Sequence, residues 1–133
     1  MKIEKALLII LLSLLSLNSI AQEKFKIEEI KIVENNKVKK EYNAPASTPI
    51  IIFQKDKINI YNTWYYKIEN TYKSGFDKYG NLWTENLYLS FDNNLESYHN
   101  PIVYTILDNG IAVFDILIDY ENFMSFTCTK IYE

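Results

Sequence analysis

The chain has 133 residues, with 14 lysines, no arginine, 17 acidic residues, one histidine and one cysteine, for a formal charge of −3. That length suits a single domain, and an acidic balance without arginine forks argues against nucleic-acid recognition. One cysteine rules out an internal disulfide framework, and with a single histidine it argues against a structural zinc site.

The N-terminus reads as an export signal. Lys2 and Lys5 precede a 12-residue apolar run, Ala6–Leu17, interrupted only by Ser13 and Ser16. A bilayer-spanning helix needs roughly 20 apolar residues, so the run matches a signal-peptide core instead. Ser19 and Ala21 supply small residues where signal peptidase reads them, which predicts cleavage after Ala21. Cleavage leaves 112 residues beginning at Gln22, with 12 lysines against 16 acidic residues and a charge of −4. Gln22 is not the cysteine that a lipid anchor would require. The expectation is a periplasmic or secreted protein; the competing reading is an uncleaved segment close to the membrane.

From Gln22 onward the pattern has period two rather than 3.6, so strands are expected. Phe25–Val33 changes phase, with Phe25 and Ile27 on one face and Ile30 and Ile32 on the other. A strand there needs a bulge near Glu28-Glu29, and a short helix is the alternative. Asn35-Asn36 turns the chain into Lys37–Tyr42, and Gln54 to Lys57 turns Ile50–Phe53 into Ile58–Tyr61. Trp64–Glu69 places Trp64, Tyr66 and Ile68 on one face, and Trp83–Phe91 places Trp83, Leu87, Leu89 and Phe91 on another. Asp108-Asn109-Gly110 is a strong hairpin signal between Ile102–Leu107 and Ile111–Tyr120. Glu121-Asn122 leads on into Phe123–Tyr132. Loops are expected at Asn43–Pro49, Lys73–Asn81 and Asp92–Pro101, where Pro, Gly, Asn and Ser collect.

Eight or nine such strands predict an all-β domain over residues 22–133, a small antiparallel barrel or sandwich. The hairpin-dominated order resembles the up-and-down barrel of the lipocalins in architecture. The Gly-x-Trp signature of that family's first strand is absent from Phe25–Val33, so the likeness assigns no residues.

Candidate chemistry is sparse. Cys128 and His99 are the only pair able to form a thiol–imidazole dyad, but Cys128 alternates in phase with Met124 and Phe126, as an apolar filler would. Asp115 and Asp119 share a strand face about 13 Å apart, wider than a glycosidase pair. Asp92-Asn93-Asn94-Leu95-Glu96 alternates oxygen ligands but lacks the glycine and distal glutamate of an EF-hand loop. Gly75, Gly80 and Gly110 are too scattered for a phosphate loop, and no cofactor is expected.

The compositional oddity is 15% aromatic residues, 11 of them tyrosine. Tyr contributes contact area at little rotamer cost, which suits binding surfaces, although half-buried Tyr is also simply a good strand residue. The first functional expectation is a non-catalytic binding module holding an apolar or aromatic small ligand, lined by Trp64, Tyr66, Trp83, Leu87 and Leu89. The second is an extracytoplasmic protein-interaction or inhibitor module using an aromatic face and the loops Lys73–Asn81 and Asp92–Pro101. A carboxylate hydrolase using Asp115, Asp119 or Glu121 is the remote third.

Overall fold

The computed structural model describes residues 22–46, 50–68 and 73–132, so the leader expected over residues 1–21 lies outside the described residues. In chain order the strands are β1 (Glu23–Glu34), β2 (Lys37–Asn43), β3 (Ile51–Phe53), β4 (Lys57–Ile60) and β5 (Thr63–Lys67), then β6 (Lys73–Phe76), β7 (Leu82–Phe91), β8 (Ser97–Ile106), β9 (Ile111–Leu117) and β10 (Phe123–Ile131). All pairings are antiparallel.

Eight strands, β1, β3, β4, β5, β7, β8, β9 and β10, follow one another around a ring that β1 closes by pairing with β10. The domain is therefore a barrel and not a sandwich. Closure depends on strand length. β1 is 12 residues long and runs along β10 from Lys24 opposite Ile131 to Val33 opposite Phe123. Its register shifts between Ile27 and Glu29, which is the bulge the phase change predicts. The extra residue lets Phe25 and Ile27, then Ile30, all reach the interior, where each is buried.

The other edge of β1 is shared. Glu23–Phe25 pairs with β3, and Glu29–Glu34 pairs with β2. β7 divides its edge in the same way, between β6 at Leu82–Glu85 and β5 at Tyr88–Leu89. The short strands β3, β4 and β5 thus bridge two long ones, with β2 and β6 as flaps outside the ring. β2 is exposed along its whole length and carries Lys37, Lys39 and Lys40. Charge of that kind discourages edge-to-edge pairing with another chain.

The interior is aromatic. Phe25 meets Phe114 edge to face at 5.4 Å, Phe53 meets Tyr104 at 4.9 Å, and Phe114 lies 6.0 Å from Phe53 and 6.1 Å from Tyr104. These four rings plug the middle of the barrel. Such edge-to-face contacts add about 0.5–1.5 kcal/mol each beyond the area they bury.

The hairpins are built as their residues require. Asn35 and Asn36 have φ of 52° and 63°, and Tyr61 and Asn62 have φ of 54° and 62°. Positive φ at both central residues matches the right-handed twist of the flanking strands. Asp77, Asp92 and Asp119 each accept backbone N–H groups from the loop that follows, at 2.8–2.9 Å. Two expected loops are partly strand. β6 occupies Lys73–Phe76, and β8 begins at Ser97, well before Ile102. β9 in turn ends at Leu117 rather than Tyr120.

Phe114→Ala should lower the unfolding free energy by about 3–5 kcal/mol, because it opens the middle of the plug. Tyr66→Ala, on the outer wall, should cost about 1 kcal/mol or less. Urea unfolding of both variants measures the contrast, and equal losses would show that the plug is not what holds the barrel together.

Candidate functional site

Alternation along β5 and β7 decides what faces the lumen. Tyr65 opposes the fully buried Ile58, and Asn86 opposes the fully buried Ile102, so Tyr65, Asn86 and Tyr88 point inward. Trp64, Tyr66, Trp83, Leu87 and Leu89, expected to line the lumen, stand on the outer face instead. The expectation followed the more apolar face of each strand. In the barrel that face is satisfied outside, by neighbours across the strands: Tyr66 opposes Leu89, Leu87 opposes Pro101, and Trp83 opposes Gly75. A Cβ on Gly75 would come within 2.7 Å of the Trp83 ring, so only glycine lets the indole lie flat there. Lys57 lies 4.6 Å above the Trp64 ring.

Thr84, Asn86, Tyr88 and Ser90 form the buried inward row of β7. The Asn86 amide hydrogen-bonds the Tyr88 phenol, and its Oδ1 has no partner. Burial, with Tyr104 nearby, pushes the Tyr88 pKa up, so the phenol stays neutral.

The aromatic plug fills the middle of the barrel and leaves a cavity of about 460 Å³ at one end. Volumes of this order suit small-molecule sites. The walls are Ile32 of β1, Ile60 of β4, Tyr65 of β5, Ile116 of β9 and Met124 of β10, with Phe126 toward the plug. Tyr61, in the β4–β5 turn, lines the cavity at its mouth. Its left-handed backbone turns the ring inward to 5.6 Å from Phe126. Burial raises the pKa of both Tyr61 and Tyr65, with Tyr42 of β2 adding to the shift at Tyr61. The polar lining comes from Glu34, Thr63 and Asn122.

One side of the rim is braced. Asn36 N–H donates to the Glu121 carbonyl at 3.0 Å, and Asn35 N–H donates to Asn122 Oδ1 at 3.1 Å. Asn122 is itself held by Asp119, through Nδ2 at 2.9 and 3.1 Å. The β1–β2 turn and the β9–β10 loop are therefore tied to each other. The opposite mouth differs in character, being more open and lined by Gln22, Glu23, Lys55 and Lys67 around Phe53 and Tyr104.

The remaining candidates separate. Cys128 is inside the barrel opposite Ala112, and burial, then the charge of Glu28, pushes its thiol up to about 12. His99 is exposed on the outer face opposite Leu89, so the two form no dyad. Asp119 and Asp92 spend their carboxylates on N–H donors within their own loops, which lowers both pKa values. Asp92 also accepts the Tyr98 hydroxyl at 3.0 Å, leaving a braced turn rather than an open set of oxygen ligands. Glu121 is exposed in the loop that carries Asp119.

Asp115 belongs to an outer row that runs Lys31, Ser125, Asp115, Val103, Glu85, Lys73 across six strands. Tyr120 reaches back from the β9–β10 loop and donates its hydroxyl to Glu85 at 3.1 Å. Asp115 accepts from Ser125, while its Oδ1 is buried without a partner.

Burial raises the Asp115 pKa above its unfolded value. Its favourable contribution to stability is therefore complete below the unfolded value, about 3.9, and lost as pH rises through the folded one. Asp115→Asn should be more stable than the parent at pH 7, with the difference shrinking toward pH 3. Urea unfolding across that range tests this, and a pH-independent difference would contradict it.

The chain matches no protein-family model, no curated protein and no solved structure at a significant level.

Proposed function

We propose that the protein is an exported, non-catalytic binding module that holds an apolar or aromatic small ligand in the capped mouth of its barrel. The observation that carries this reading is the 460 Å³ cavity between the aromatic plug and Tyr61, with walls that are almost entirely apolar. An eight-stranded barrel has room for filling side chains or for one small ligand. This one does both, with side chains in the middle and space at the end. The up-and-down strand order and the ligand-sized mouth are what a lipocalin-like carrier requires. Export rests on the N-terminal sequence alone.

A second reading, a protein-interaction module, draws on the outer wall. Tyr66 and Phe91 there are 43% and 48% exposed, and Phe76 and Leu82 near the β6–β7 turn are 73% and 50% exposed. Apolar exposure of this kind marks contact surfaces when it is contiguous.

The two readings separate by titration with the neutral fluorophore N-phenyl-1-naphthylamine. Met124→Trp, which fills the cavity from its partly exposed wall, should weaken probe binding at least tenfold, while Tyr66→Ala leaves it unchanged. The opposite pattern would move the binding surface to the outer wall. Native mass spectrometry of Gln22–Glu133 purified from its own exported fraction then tests for an endogenous ligand. An added mass of a few hundred daltons that is lost on denaturation supports the cavity, and a stoichiometric protein adduct supports the interaction module.

A further inference from the structure

Within the proposed ligand site, charge and aromatic rings narrow the ligand class. Glu34 is the one charged residue among those lining the cavity. It ends β1, at the level where Val33 and Phe123 also reach the rim. Lys37 stands opposite Glu34 in the β1–β2 register, yet no ion pair forms between them, and no other described residue pairs with the Glu34 carboxylate. The neighbouring acids differ. Asp119 is saturated by hydrogen bonds from Glu121 and Asn122, and Glu41 pairs with Lys31 at 3.8 Å. The cavity lysines are absent too: neither Lys37 nor Lys40 is among the lining residues.

Four rings accompany this carboxylate, those of Tyr61, Tyr65, Phe123 and Phe126. An aromatic face attracts a cation through its quadrupole, and the attraction grows as water is excluded. A rim carboxylate that makes no ion pair among the described residues, in a cavity lined by four aromatic rings, complements a positive head on an apolar body. The acidic balance of the chain acts in the same direction at longer range. An anionic head would meet Glu34 with no lining cation to offset it.

We infer that the mouth cavity takes an amphipathic organic cation, an amine or quaternary ammonium with an apolar tail, and that Glu34 selects its charge. The inference rests on the cavity being the ligand site, so the experiment separates the two. Isothermal titration of Gln22–Glu133 with decyltrimethylammonium, decanoate and decanol, all below their aggregation concentrations, compares one tail with three heads. The cation should bind about tenfold more tightly than decanoate, with decanol between them. Glu34→Gln should bring the ratio of cation to decanoate affinity close to one, and thermal unfolding of the variant should match the parent, since Glu34 is exposed at the end of β1. Equal binding of the three heads, tighter binding of decanoate, or a preference that survives Glu34→Gln would overturn the charge assignment while leaving the cavity in place. No binding of any of the three would overturn the cavity reading, and the charge assignment with it.

Discussion

The seam between β1 and β10 is the constraint on which the rest of the structure depends. A sheet of eight strands closes only if its first and last strands can run beside each other with their apolar faces in phase. Here the bulge after Ile27 restores that phase. Before it, Ile27 opposes Cys128, and after it Ile30 opposes Phe126, so both halves of β1 deliver apolar side chains inward. Without the bulge, one half of β1 would turn Lys and Glu toward the plug. The ring closes at the cost of one unpaired residue, and no strand of the ring is left with an open edge along its full length.

Closure also explains why β7 carries polar groups inside and apolar ones outside. Near β5, β6 and β8 the outer wall supplies partners for Trp83, Leu87 and Leu89. Inside, Tyr88 offers ring area to the core while Asn86 meets its hydroxyl. A buried polar side chain is tolerable when bonded, and the partnerless Oδ1 of Asn86 shows that the bonding is incomplete. This is the point at which apolarity stops being a guide to direction. Reading a strand by its more apolar face works for β9, where Ala112 and Phe114 are buried and point inward. It fails for β5 and β7, because cross-strand neighbours outside compete with the core for the same side chains.

The same distinction governs what else was legible in the residues. Turn chemistry is local, so Asn35-Asn36 and Asp108-Asn109-Gly110 identify their hairpins directly. The bulge was legible because two runs of isoleucine and phenylalanine fall out of step. β6 was not, since Lys73-Ser74-Gly75-Phe76 has no pattern of its own and becomes a strand only against Leu82–Glu85. The N-terminal half of β8 was hidden by Pro101, which breaks most strands. The β8–β9 ladder ends at Ile102, so Pro101 has no partner strand to disappoint on that side. The cavity itself was beyond sequence reasoning, because it is the space that four rings fail to fill, and those rings come from four different strands, β1, β3, β8 and β9.

The plug has a geometric consequence for traffic. Phe25, Phe53, Tyr104 and Phe114 separate the apolar mouth from the polar one, so the barrel is a cup and not a conduit. A ligand held in the proposed site would have to leave by the mouth through which it entered. Under the proposed function, loading and unloading would share that one rim, beside the braced turns at Asn35-Asn36 and Glu121-Asn122. Tyr61 at that rim sits in a tight two-residue turn between β4 and β5 rather than on a long loop, so the rim there has little backbone free to move.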